Sequence, residues 1–330
     1  GLLFTPQRKW LKTPWPWLCG LIAFVLFLPF IVWNLQNDLA HLEFMNHAAA
    51  SKYASQNPVT LVMDQFTLHN PLSAPLWIAG LWFLLLHRPA KPFRMIGWLF
   101  VTPFILLVIN WHSKAEYLAA AFAILFAGGG VMLEHWLKQP SRLWLRVTYP
   151  VSLLLSFVAL APLALPILPV QTFIRYSQVL RLQPPSVEGH QLSHLPQFYA
   201  DMFGWREKAQ AVAEVYNRLP EADKKKCAIY AENYGRCAAI DFFGSPAGLP
   251  KSIGGHNSYW IWGPREYTGE VMIILAHDLG DKREHFEQVE VVGKVSAEYC
   301  MPYENNLTVY LCRNLRMPLR EVWPRVKSNT

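Results

Sequence analysis

The sequence predicts a polytopic α-helical membrane domain over residues 1–170, a linker over 171–196 and a small α/β domain over 197–330. Three observations lead there. Hydrophobic residues make up 52% of the chain against 16% charged, and the polar ones crowd into the C-terminal half. Apolar segments at 15–33, 71–86, 95–110, 117–133 and 147–170 are separated by short basic loops. Beyond residue 197 the pattern changes to an amphipathic helix and then short strands and helices in turn.

A bilayer core of ~30 Å takes about 20 helical residues, so the first and last segments span by themselves and the middle three need their flanks. The loops "QRKWLK", "HRPAKPFR" and "LKQPSRLWLR" occupy alternate positions. Basic loops mark the cytoplasmic side. The outer side then receives residues 34–70, the turn "WHSKAEY" and everything after 170. The same distribution accounts for the net charge of +7, which could otherwise suggest a nucleic-acid partner; the expected partner is the membrane. Trp10, Trp15, Trp17, Trp33, Trp77, Trp98, Trp111, Trp136 and Trp144 fall mostly near span ends, as an interfacial belt would. Pro150, Pro162, Pro166 and Pro169 each remove a helical donor, which kinks or unwinds the outer end of the last span. No signal peptide is visible, and "GLLF" before "TPQRKWLK" reads as the last turn of an earlier span. The chain is therefore expected to be the C-terminal piece of a longer membrane protein.

In the α/β domain, Trp205, Ala209, Val212 and Tyr216 repeat at helical spacing and predict one amphipathic helix over 197–218, ended by Pro220. Strands are predicted at 227–230, "EVMIILAH", "EQVEVVGKVS" and "LTVYLCRNL", with a helix at 234–243 and a helical turn at "PLREVWPRV". Cys19 lies in the first span and reads as inert. Cys227, Cys237, Cys300 and Cys312 all fall in the outer domain, where disulfides persist. Sequence order suggests Cys227 with Cys237 and Cys300 with Cys312, although four cysteines allow three connectivities. A zinc site is the rival, disfavoured because no C-x-x-C element is present.

Several stretches could carry chemistry. Glu188, His190 and His194 could share a metal, or be solvated linker residues. Lys114 and Glu116 sit in a short loop between two apolar spans, where Lys114 offers a point charge to a phosphate and Tyr117 a donor beside it; interfacial snorkelling competes equally. Asp38, Glu43 and Asp64 in the loop 34–70 could serve as bases, with no spacing that selects one. Glu232 and Asn233 end a strand where α/β folds place ligands, and Asn233 also fits a helix cap. "GGHNSYWIWGP" joins His256, Asn257, Tyr259 and Trp260, which suit a sugar-stacking surface or packing at a membrane interface.

Together, "TPQRKWLKTPWPWLCGLIAFVLFLPFIVWNLQND", "HSKAEY", "ENYGRCAAIDFFG" and "GGHNSYWIWGP", in that order, resemble bacterial glycosyltransferase family 39, relatives of the protein mannosyltransferases and the lipid A aminoarabinose transferase. The resemblance covers nearly the whole chain. It implies a GT-C type membrane fold in the bacterial inner membrane, a periplasmic C-terminal domain, a polyprenyl-phosphate sugar donor and inverting transfer to a lipid, glycan or protein acceptor. It places Lys114 and Tyr117 at the donor phosphate, and leaves His256, Asn257, Tyr259 and Trp260 as acceptor-facing or structural. The family's acceptor-activating carboxylate lies in a first outer loop that matches no residue here, so the chain alone is expected to be inactive. No cofactor or metal is implied at the matched positions. A membrane-anchored glycan-binding module is the alternative reading, and a transporter the third, weakened by the lack of charges within the spans.

Overall fold

The computed structural model describes residues 3, 5–51, 57–110, 114–182, 191–192 and 194–329. The chain forms two compact units, Gly1–Leu35 with Tyr53–Arg181, and Gln36–Lys52 with Leu182–Thr330.

Among the described residues of the first unit, four helical stretches are long and apolar enough to cross a membrane: Trp15–Gln36, Arg88–Ile109, Ala115–Trp136 and Pro140–Ala164. The fifth predicted span is present as a shorter apolar helix, Pro71–Leu86. Helix α1 (Trp15–Gln36) exposes Leu21, Ile22, Phe24, Val25, Leu26 and Phe27, apolar surface on every side. A helix apolar all round needs lipid or protein around it, not water.

The loop 34–70 is not a simple loop. It contains α2 (Ala40–Ser51), which belongs to the second unit, and α3 (Pro58–Leu68), capped by Asn57 accepting from the Thr60 amide at 2.8 Å. Then come α4 (Ala74–Leu86), α5 (Arg94–Ile109), α6 (Ala119–Trp136), α7 (Leu145–Ala164) and α8 (Val170–Leu180). The last span ends at Ala164 and residues 165–169, with Pro166 and Pro169, are non-helical, as the missing donors predict. Helix α8 occupies the start of the stretch read as a linker. The Tyr176 hydroxyl donates to the Ala159 carbonyl at 2.5 Å, folding α8 back on α7.

Helices α4 and α6 meet backbone to backbone. A Cβ on Gly80 would lie 1.8 Å from Leu125 O, and one on Gly129 2.0 Å from Leu76 O. Small residues at such crossings bring backbones together where lipid gives no hydrophobic drive. Trp77, Leu84, Phe100, Leu118, Phe122 and Leu125 fill the core beside the crossing. Trp77 is therefore a core residue, not part of an aromatic belt.

The second unit holds a four-stranded sheet in the order β1-β2-β4-β3: β1 (Cys227–Ala231) runs parallel to β2 (Val271–Ala276), and β4 (Leu307–Leu315) is antiparallel to β2 and to β3 (Phe286–Val295). Every residue of β1 and β2 is buried, as expected of strands covered on both faces. One face packs on α9 (Trp205–Asn217) and α10 (Tyr234–Phe243) through Val212, Val215, Ile229, Ile240, Ile273 and Val309. The other carries Tyr230, Ile253, Met272, Ile274, Tyr310 and Trp323. The single helix predicted over 197–218 is broken: Gln197–Ala200 is one turn, and Gly204, at φ 85°, starts α9. That left-handed conformation suits glycine. Beside β1, the Ala231 amide donates to Ile253 O at 3.1 Å and the Ile253 amide to Ile229 O at 2.8 Å.

The expected disulfides are absent: Cys227, Cys237, Cys300 and Cys312 are free, buried thiols. Geometry gives the reason. Cys237 Sγ lies 3.5 Å from Ala231 O. That is the far end of β1, about 13 Å along the strand from Cys227, whereas a disulfide needs Cα atoms ~4.4–6.8 Å apart. Cys300 sits beside Gly204 on the α9 side of the sheet, whereas Cys312 packs into the opposite core.

Candidate functional site

Three places hold the polar residues that the sequence singles out or that the fold brings together. The first lies in the membrane unit, where α3 meets the start of α6. Lys114, partly buried, precedes the helical turn Ala115–Leu118, which is pinned by the buried Ala115 and Leu118 and leaves Tyr117 exposed. The buried Gln65 of α3 donates to Ala115 O at 3.3 Å and to Leu61 O at 3.1 Å, so α3 is fastened next to Lys114. One helical turn on, the His69 ring stacks on Phe122 at 3.7 Å, and Trp77 meets Phe122 edge-on at 5.5 Å. Burial lowers the His69 pKa, keeping its ring neutral at physiological pH. Asn70, at φ 61°, accepts from the Leu72 amide and donates to Ser156 Oγ at 2.6 Å, and the Tyr149 hydroxyl donates to Leu72 O at 3.0 Å.

Three atoms in this cluster, Gln65 Oε1, His69 Nε2 and Trp77 Nε1, are buried without a hydrogen-bond partner among the described residues. An unsatisfied buried polar atom costs about 1–3 kcal/mol, and native folds keep few of them. His69 and Trp77 both pack on Phe122, and Gln65 adjoins the Lys114 turn through its bond to Ala115 O. The sequence pointed to Lys114 and Tyr117. It did not point to Gln65, His69 and Trp77, because nothing in their spacing distinguishes them from solvated or interfacial residues. Trp111, His112 and Ser113 of "NWHSKAEY" lie outside the described residues, as do Glu188 and His190 of the "EGHQLSH" motif. His194, the third member of that motif, is exposed.

The second place is the end of β1. Asn233 is a helix cap: its Oδ1 accepts from the Arg236 amide at 2.8 Å. Its Nδ2 donates to Glu304 Oε1 at 2.6 Å, and Arg236 Nε donates to Glu304 Oε2 at 3.0 Å. Lys208 Nζ lies 3.3 Å from the same oxygen and 4.3 Å from the Trp205 ring centroid. Lys208, Arg236 and Glu304 are buried, at 1%, 4% and 4% exposure. Burial lowers the Lys208 pKa, and the Glu304 charge opposes that shift. Glu232, half-buried, bridges Arg236 at 3.4 Å and Lys282 at 2.7 Å. Glu304 is thus the shared acceptor of the capping Asn233 and the buried cations Arg236 and Lys208. Sequence reasoning reached Glu232 and Asn233 and missed the rest. A signal existed for Lys208, which shares the helical face of Val212 and Val215.

The third place is the stretch 254–264. Trp260 Nε1 donates to Trp323 O at 3.0 Å, and Trp323 Nε1 returns the bond to Trp260 O at 2.9 Å. The buried Tyr259 hydroxyl donates to Asp241 Oδ2 at 3.1 Å, and burial raises its pKa. His256 is buried, meets the Tyr234 ring edge-on at 5.0 Å and forms a parallel bridge with Ser328. Asn257, at φ 52°, donates its amide to Ser328 O at 2.9 Å. Gly255 is required because a Cβ there would lie 1.8 Å from Val326 O. His256, Asn257 and Trp260 clasp the C-terminal tail, and Tyr259 is tied to α10 through Asp241. Trp262 stays exposed, lining a shallow cleft of about 340 Å³ with Arg265, Glu266 and Arg320.

Comparison of the chain with family models, curated proteins and solved structures gives no match.

Proposed function

We propose that the chain is the C-terminal part of an integral-membrane glycosyltransferase, of the kind that family 39 exemplifies, moving a sugar from a polyprenyl-phosphate donor to an acceptor. The observation that supports this reading is the turn that carries Lys114 and the exposed Tyr117 at the end of a spanning helix, with α3 fastened beside it by the Gln65 bond to Ala115 O and the Trp77 Nε1 donor buried without a partner among the described residues. A lipid phosphate is a ligand that arrives within the membrane, carries charge and accepts hydrogen bonds. Lys114 would neutralise it as a point charge, and the Tyr117 hydroxyl and Trp77 indole would donate to its oxygens.

In transfer with inversion, the acceptor oxygen attacks the anomeric carbon, the bond to the lipid phosphate breaks, and negative charge grows on the departing phosphate. A cation and fixed donors at the phosphate lower the barrier because they act most strongly where that charge develops. The carboxylate that would take the acceptor proton matches no residue of this chain, so activity is proposed for the intact protein in the bacterial inner membrane, with the α/β unit on the periplasmic side. His256, Asn257, Tyr259 and Trp260 support the fold of that unit, and the Trp262 cleft is the surface left open to an acceptor.

The test is donor turnover and donor binding by the intact protein in nanodiscs. Lys114→Ala is expected to lower turnover by 10²- to 10³-fold, about 2.7–4 kcal/mol, the usual cost of one charge-stabilising group. Unchanged turnover and donor affinity would refute the assignment.

A further inference from the structure

Helix α2 has two faces with different neighbours. One is held by the α/β unit to which it belongs: Glu43 accepts from Lys327 Nζ at 2.6 Å, the His47 ring and Asn329 O lie 3.0 Å apart, and Ala48 is fully buried. Lys327 in turn sits 4.5 Å from the Trp260 ring centroid, so α2 is tied to the same clasp that closes on the C-terminal tail. The other face presents Leu42 and Met45, 55% and 43% exposed, and Leu39, in the turn just before the helix, is 44% exposed. A helix with one face docked and a second apolar stripe uncovered is incompletely buried as described.

Chain connectivity supplies the missing neighbour. Spanning helix α1 ends at Gln36, and only residues 37–39 precede α2 at Ala40. Three residues reach at most about 10 Å, so α2 must start in the interfacial zone where α1 leaves the bilayer. Asp38 and Leu39 hold left-handed backbone at φ 52° and 57°. Such a conformation costs roughly 1–2 kcal/mol per residue, so residues 38 and 39 form a turn and do not continue the helix. No Lys or Arg occurs between residues 40 and 51. The attraction available to the stripe is therefore apolar, without a contribution from anionic headgroups.

We infer that α2 is an interfacial helix that places Leu39, Leu42 and Met45 among the acyl chains of the leaflet from which α1 emerges, while its docked face anchors the tail of the α/β unit through Lys327 and Glu43. The partner is the lipid surface. This inference is independent of glycosyl transfer and stands or falls by a different measurement.

The experiment uses the full chain in nanodiscs of zwitterionic lipid, on a Cys19→Ser background, with a nitroxide spin label at Leu42→Cys or Met45→Cys and a water-facing control at Glu214→Cys. Relaxation of the label by oxygen, which concentrates in acyl chains, is compared with relaxation by a polar nickel chelate. The expected result is relaxation by oxygen and loss of the nickel effect at residues 42 and 45, the reverse at 214, and no change when anionic lipid is added. Relaxation by nickel at 42 and 45, or shielding from both reagents as under a protein cover, would overturn the inference. If either variant fails to fold, Leu39→Cys in the turn gives the same readout, with the same results deciding.

Discussion

Neutralising Glu304 should be the most damaging single change in the α/β unit. Its carboxylate, 4% exposed, accepts from Asn233 at 2.6 Å and Arg236 at 3.0 Å and lies 3.3 Å from Lys208. In Glu304→Gln, two buried cations lose their shared counter-charge, and the half-buried Glu232 reaches only Arg236. Leaving a buried charge uncompensated costs about 3–5 kcal/mol. For a unit of this size each kcal/mol is worth roughly 2–4 °C, so the melting point should fall by about 6–20 °C. Lys208→Met should behave differently: it removes a desolvated ammonium, fills the same volume and leaves Arg236 paired with Glu304, so the expected change is under about 1.5 kcal/mol. The assay is thermal unfolding of the full chain in detergent, with hydrogen exchange at β1 and β2 to assign the transition to this unit. Equal losses for the two variants, or a larger one for Lys208→Met, would refute the charge accounting.

Two further outcomes are expected. Gly129→Val should prevent the α4–α6 crossing, since its side chain would meet Leu76 O, and should destabilise by at least the ~1–3 kcal/mol typical of overpacking, whereas Gly130→Ala, with open space around it, should be silent; retention times and melting points in detergent compare them. Burial pushes the Cys227, Cys237 and Cys312 thiols up to about 12 and raises Cys300 too, so thiolate is scarce at pH 8. All four should resist iodoacetamide in the folded chain and react once it is denatured without reductant; a missing pair of reactive thiols by mass spectrometry would mean a disulfide after all.

The sheet and its flanking helix α10 were legible because their punctuation is local. Asn233 caps the helix predicted over 234–243, and β4 occupies the run "LTVYLCRNL" that alternation marks out. Helices α2, α3 and α8 were not: each is short, and their apolar residues are diluted by His, Asn, Gln and Arg, so what distinguishes them from polar loops is the neighbour each finds in the fold. The break at Gly204 was hidden because a glycine inside a helical pattern is ordinarily tolerated. At the candidate site, Lys114 stood out by its charge between apolar spans. Gln65, His69 and Trp77 each bury one polar atom without a partner among the described residues, and a missing partner is a property of packing that no spacing encodes. The cysteines misled for a related reason: an even number fits pairing, but strand length and sheet face decide reach.

The segment beside β1 bears on how this protein reaches its folded state in a crowded cell. An open strand edge is a template on which other chains can add. Ile253 closes that edge with bonds to Ile229 and Ala231, and at the far side β3 carries a register shift at Gly293 and outward Glu287, Glu290 and Lys294. The second protection is built into the strand itself; the first arrives only after residue 253 has been synthesised. Until then the wholly apolar β1 is adhesive, so variants that weaken the 252–255 segment should show their defect as lost yield before they show it as lost stability.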